Sequence, residues 1–206
     1  MTALLWPTLP TGLSRLRRIA AVVFAAQLVG FVIWSFALWS HFSLTDDYAV
    51  YWQGWWNLNH GHLNPYDSLG TFSFWRDHGV LLMWPIALVT HFGLGGLAPL
   101  LVQDLSVFAA EVLAFAWILR ILREDAEAPP LPGWLLGGAA LLFLVVNPWS
   151  YWAIAFDLHL DITLPAPFVV LALRALYYRR YRALATWAVL ILLCGDVAAS
   201  YLVAIG

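Results

Sequence analysis

The sequence predicts an all-α protein: a polytopic transmembrane helical bundle of about four full spans plus one short or re-entrant segment, with a long external first loop. Three observations carry that expectation. Hydrophobic residues make up 63% of the chain, charged residues only 11%, and the mean hydropathy is +0.78; a soluble domain carries about a quarter charged residues. The apolar residues also fall into runs. Several approach the roughly 20 helical residues needed to cross a hydrocarbon core of about 30 Å. Finally, the arginines collect at the ends of those runs, where a topology rule can use them.

Residues 1–18 read as a short cytoplasmic tail that closes with Arg15, Arg17 and Arg18. The run 19–40 is then the first span, too long for a signal-peptide core of about 7–15 residues. Gln27 within it is either a helix–helix hydrogen-bonding group or part of a polar pocket. Residues 41–78 form the external loop. The apolar stretch 79–92 has fourteen residues, which at 1.5 Å each reach only about 21 Å, so it is expected to be re-entrant or interfacial. Gly93, Gly95, Gly96 and Pro99 separate it from the span 100–119, which ends at Arg120 and Arg123. A polar, proline-rich cytoplasmic turn at 124–132 follows. The run 133–152 goes outward, 153–163 is an external connector, and 164–178 returns to Arg179, Arg180 and Arg182. A last apolar run, 183–205, goes outward again.

The arginines fit this order. Arg15, Arg17, Arg18, Arg120, Arg123, Arg174, Arg179, Arg180 and Arg182 all fall at cytoplasmic ends, and only Arg76 lies outside, as the positive-inside rule requires. The N-terminus is therefore expected in the cytoplasm, and the histidines with Asp46, Asp47, Asp67, Asp77, Asp157 and Asp161 on the outer face. Two classes drop out. A net charge of −2 without a clustered basic face carries no nucleic-acid signature. The single cysteine, Cys194, forbids an internal disulfide.

The chemistry is expected in the loop 41–78, a polar and aromatic island between apolar runs. It places the carboxylates Asp46 and Asp47 just after the first span, before Trp52, Trp55 and Trp56. Tryptophan rings settle at the headgroup level, where such a loop meets lipid. A carboxylate there suits a general base. The pair also suits a helix N-cap, with Thr45 or Asp46 starting an interfacial helix, and both roles stay open. The connector holds D-L-H-L-D: Asp157, His159 and Asp161 share a face only on an extended backbone. There they would suit a divalent cation, magnesium or manganese. The other reading is an interfacial turn, with Thr163 capping the next helix and Pro165 in its first turn. Asp104, Glu111 and Asp196 sit at membrane depth, where a carboxylate costs about 2.5–3.5 kcal/mol and so faces the bundle interior or a wet cavity.

The run T-D-D-Y-A-V-Y-W-Q-G-W-W-N-L-N-H-G-H resembles the opening loop of a prokaryotic membrane protein family, domain of unknown function 2079. The matching positions are Asp47, Tyr51, Gln53, Trp56 and His60-Gly61. Downstream, His78 with Pro85, Gln103, the Asp157-x-His159 element and Asp196 are similar to its later motifs. The chain departs from the pattern at Cys194 and Gly195, where the family has a charged residue and a glutamate. It departs again at Leu160, where the family has proline. The family is longer, so the chain resembles its N-terminal portion or a short member.

The family is grouped with the GT-C class of membrane glycosyltransferases. The resemblance therefore implies a GT-C-like bundle in a bacterial or archaeal plasma membrane. It implies transfer of a sugar from a polyprenyl-phosphate-linked donor at the external face, among membrane lipids. Asp47, with Asp46 beside it, is then the catalytic carboxylate. Gln53, Tyr51, His78, Asp157, His159 and Asp196 are the substrate-binding set. The alternative is a non-catalytic multi-pass membrane protein, a transporter fragment or an assembly partner. A transporter would carry repeated halves and midplane polar residues. The sequence has no repeat, and apart from Glu111 its polar residues crowd one side.

Overall fold

The computed structural model describes residues 11–89, 93–124 and 132–205. The expected tail before residue 11, the end of the short segment at 90–92 and the turn at 125–131 lie outside the described residues. Among those described, the regular structure is helical except for one two-stranded hairpin. Four helical stretches are long and apolar enough to cross a membrane: Gly12–Ser40, Gly95–Glu124, Gly133–Ala155 and Leu160–Tyr177. Their outward faces are apolar, with Val22, Ile33, Leu142 and Phe143 each more than 60% exposed. This is the architecture of a multi-pass membrane protein.

In chain order, α1 covers Thr11–Ser40. It begins well before the expected residue 19, so Arg15, Arg17 and Arg18 ride on the helix rather than on a tail. Arginine is a good helix former, and its long stem lets the charged head reach water. The expected loop 41–78 is itself folded: α2 spans Asp46–Asn59, β1 Tyr66–Asp67 pairs antiparallel with β2 Phe72–Ser73, and α3 is Phe74–Asp77. The short segment holds α4, Met83–Val89, whose seven residues reach only about 10 Å. A single 3-10 turn at Gly95–Leu97 leads into α5, Ala98–Glu124.

The run 133–152 is not one helix. It splits into α6, Gly133–Val145, and α7, Pro148–Ala155. Pro148 has no N–H to continue α6, and the Asn147 side chain accepts the Trp149 N–H at 3.2 Å to start α7. Next come α8, Leu160–Thr163, and α9, Ala166–Tyr177. The last run, 183–205, is likewise divided, into α10, Tyr181–Leu192, and α11, Asp196–Ile205. Gly195 takes φ +133° between them, a conformation open to glycine and strained for other residues. A single outward span over 183–205 is therefore corrected to two short helices.

Helix α5 is the centre of the bundle and packs against α1, α6 and α9, while α10 lies back along α9. At one end a small core joins α1, α5 and α6 through Phe24, Phe115, Leu119 and Leu141. Gly137 allows this approach: a Cβ there would meet Leu16 Cδ2 at 2.6 Å. At the other end a larger core unites the cap with the bundle through Tyr51, Trp55, Phe74, Met83, Leu158, Ile191 and Cys194. The segment before α4 is tied to the α10–α11 break, since the Leu82 N–H donates to the Leu193 carbonyl at 2.8 Å. The residues expected to carry chemistry sit on this larger core.

Candidate functional site

The site is built on α2. Val50, Tyr51, Gly54, Trp55 and Leu58 are its buried face, spaced at helical intervals along one stripe. Gly54 lets that face close onto the cap, since a Cβ there would come within 3.3 Å of the Phe74 ring and Met83 Cε. Tyr51 is 1% exposed and lies edge-on to Phe74 at 5.5 Å. Its hydroxyl is 3.4 Å from His78 Nδ1, and the His78 ring packs on both Tyr51 and Phe74. Burial, then the negative charges of Asp161, Asp47 and Asp196, push the Tyr51 phenol well above its usual range. Tyr51 thus holds its proton and serves as an O–H group beside the histidine.

The N-terminus of α2 is capped from the far end of the chain. Thr45 has the extended backbone of an N-cap residue, but its side chain makes no cap bond within α2. Instead its hydroxyl donates to Asp157 Oδ2. Asp157 Oδ1 accepts the Tyr48 N–H at 3.2 Å and the Leu158 N–H at 2.8 Å. A carboxylate from the connector therefore supplies the acceptor that a local N-cap side chain normally provides. Asp157 is 4% exposed, and its pKa is raised by burial and by Asp47 against the lowering effect of those N–H groups.

Of the two cap candidates, Thr45 holds the N-cap position of α2. Asp46 and Asp47 are the first two residues of α2 rather than its cap. Asp46 is exposed. The Asp47 side chain is 50% exposed and places Oδ2 3.9 Å from His159 Nδ1. The His159 ring is stacked on Trp152, 5.5 Å away and nearly parallel. Asp161 lies near both His78 and His159. Asp196 is exposed at the start of α11 and close enough to Tyr51 to act on its phenol. Asp47, Tyr51, His78, Asp157, His159, Asp161 and Asp196 thus lie at one end of the bundle.

Gln53 does not join them. Its side-chain oxygen accepts the Ser68 N–H at 3.0 Å and the Ser68 hydroxyl at 3.1 Å, pinning the hairpin to α2. Asp67 is spent in the hairpin as well, accepting the Leu69 N–H at 2.8 Å.

A magnesium or manganese site on Asp157, His159 and Asp161 does not fit this geometry. Both Asp157 oxygens are taken by Thr45, Tyr48 and Leu158, and His159 turns toward Asp47. Among the described residues no cluster of three histidine, cysteine or acidic side chains is placed to hold a metal ion. The connector bends at this point, so the extended backbone that would align the three is absent: α8 begins at Leu160.

Three residues at the site were absent from the expected set. Thr45 and Trp152 hold Asp157 and the His159 ring. Gln103 is 0% exposed; its Nε2 donates to the Asp157 carbonyl at 2.9 Å and its Oε1 accepts the His159 N–H at 2.6 Å. One α5 side chain thus clamps the backbone on both sides of Leu158. An amide inside an apolar helix is a visible signal for such a clamp.

Comparison of the chain with family models, with curated proteins and with solved structures finds no match.

Proposed function

We infer that the chain acts as a membrane glycosyltransferase of GT-C type, taking a sugar from a polyprenyl-phosphate donor at the polar end of the bundle. The observation that carries this reading is the division of labour between two aspartates. Asp157 caps α2, and Asp47 is left half-exposed at this end of the bundle with His159 as its neighbour. A base must reach solvent-borne substrate and keep a free lone pair, and Asp47 meets both conditions.

In the proposed step the Asp47 carboxylate takes the proton of an acceptor hydroxyl. The acceptor oxygen attacks the anomeric carbon, and the sugar–phosphate bond breaks with its electron pair leaving on the lipid phosphate. Developing phosphate charge needs a cationic or hydrogen-bonding partner. His78 and His159 carry ring N–H groups at this end that can donate to phosphate oxygen. The Tyr51 hydroxyl adds a donor. Trp39, Trp56 and Trp84 are each more than a third exposed, and such rings keep a cap at the lipid headgroup level. The resemblance of Asp47, Tyr51, Asp157 and His159 to a family pattern supports the same assignment.

The test is direct. Purified protein in liposomes that contain a radiolabelled polyprenyl-phosphate sugar is expected to consume the donor when an acceptor is supplied. Donor that stays intact across a panel of hydroxyl acceptors would remove the enzyme reading.

A further inference from the structure

Away from this site, the middle of the bundle holds polar groups that the proposed reaction does not use. Glu111 on α5 is 5% exposed, and neither carboxyl oxygen has a hydrogen-bond partner among the described residues. Gln27 on α1 is 8% exposed, and both its amide atoms are likewise unpartnered. Helix α1, which carries Gln27, and α7, which carries the buried Ser150, both pack against α5. Asn147 Nδ2 donates to Ser150 Oγ at 3.3 Å, which leaves the Ser150 hydroxyl proton free to turn toward the carboxyl. Both Glu111 and Gln27 fall near the middle of their apolar stretches, Gly95–Glu124 and Gly12–Ser40.

Among the described residues no cation faces this group. On α5 the nearest ionisable side chain is Asp104, seven residues away or about 10 Å along the axis; Arg120 is farther in the other direction. Helix α1 brings only Arg15, Arg17 and Arg18, all at its far end, and α6 brings none. From α7 comes Tyr151, packed edge-on to Phe31, and from α9 come Arg174 and Tyr177. Helices α2 and α8, with Asp46, Asp47, Tyr48, Tyr51 and Asp161, meet α5 at its other end. An unpaired carboxylate at this depth is costly, and an unmade buried hydrogen bond adds to the cost. A proton on Glu111 removes the charge and supplies a donor for Gln27 Oε1, while Gln27 Nε2 and Ser150 remain to hold the carboxylate when the proton leaves.

We propose that Glu111, Gln27 and Ser150 form an intramembrane proton-binding site whose carboxyl takes up and releases a proton in the folded protein. This stands apart from the transferase reading and survives its failure. The test uses the full chain in lipid bilayers with a hydrophobic carbodiimide, which reacts with protonated carboxyl groups, and peptide mass spectrometry to find the modified residue. Modification at Glu111 is expected. It should fall about tenfold per pH unit above a midpoint and should not change when sodium replaces choline.

Gln27→Leu, which removes a donor to the carboxylate, should move the midpoint to higher pH. Infrared spectra of wild type and Glu111→Gln read the same event without a reagent. A protonated-carboxyl band lost on raising pH, and absent from the variant, is expected. A band that stays constant with pH, or modification blocked by sodium, would overturn the proposal: the first means a permanently protonated contact, the second a cation site.

Discussion

Replacing Asp157 by alanine removes the acceptor for Thr45, Tyr48 and Leu158 together. Loss of a helix cap costs about 0.5–2 kcal/mol, and a buried N–H left without a partner costs about 1–3 kcal/mol. Leu158 is 0% exposed and cannot find water, whereas Tyr48 is only partly buried. The two terms therefore overlap, and about 2–3 kcal/mol is expected for the local stability of α2. Hydrogen exchange of a peptide covering the first turns of α2 measures it. A loss of about 2 kcal/mol corresponds to roughly 30-fold faster exchange through local opening. Exchange in α9 should change less, because its packing is separate. If Asp157→Ala leaves α2 exchange unchanged while Asp46→Ala accelerates it, the cap is local and the reasoning that frees Asp47 fails.

Asp157 should also write a pH signature. Its folded-state pKa lies above the ordinary value of 3.8, so the folded form holds the proton more tightly. Its contribution is then fullest below that value and is lost as pH rises through the raised pKa; thermal unfolding of Asp157→Asn should lack this part of the pH dependence. Gln103→Leu keeps an apolar α5 but strips both hydrogen bonds from the 157–159 backbone. It is expected to destabilise by about 2–4 kcal/mol and to speed exchange at His159. Gly195→Ala forces a side chain to φ +133°; an unfolding shift of about 1–3 kcal/mol is expected, and none would mean the α10–α11 break relaxes freely.

Hydropathy made the bundle legible, because lipid-facing runs leave little ambiguity, yet it is blind to continuity. Pro148 and Gly195 are plain in the sequence, but both lie within runs apolar enough to read as single spans. The cap was legible in part. The buried stripe Val50, Tyr51, Gly54, Trp55, Leu58 has helical spacing, whereas the hairpin at 66–73 depends on Gln53 reaching Ser68. The identity of the cap on α2 was not readable at all. Asp157 lies 109 residues from Tyr48, and no local pattern around Thr45 announces a partner that distant. The same distance hid the partner of the first carboxylate in D-L-H-L-D, which is taken by the start of α2.

The proposed role of Asp47 as the base is tested most directly by one comparison: Asp47→Asn against Asp46→Asn in the liposome transfer assay. Asp47→Asn is expected to fold and insert normally and to lose about 10²–10⁴ in rate, the usual cost of removing a catalytic proton acceptor. Asp46→Asn, exposed at the helix start, should stay within about threefold of wild type. Full activity in Asp47→Asn would contradict the account, and a loss confined to Asp46→Asn would move the base to the neighbouring carboxylate.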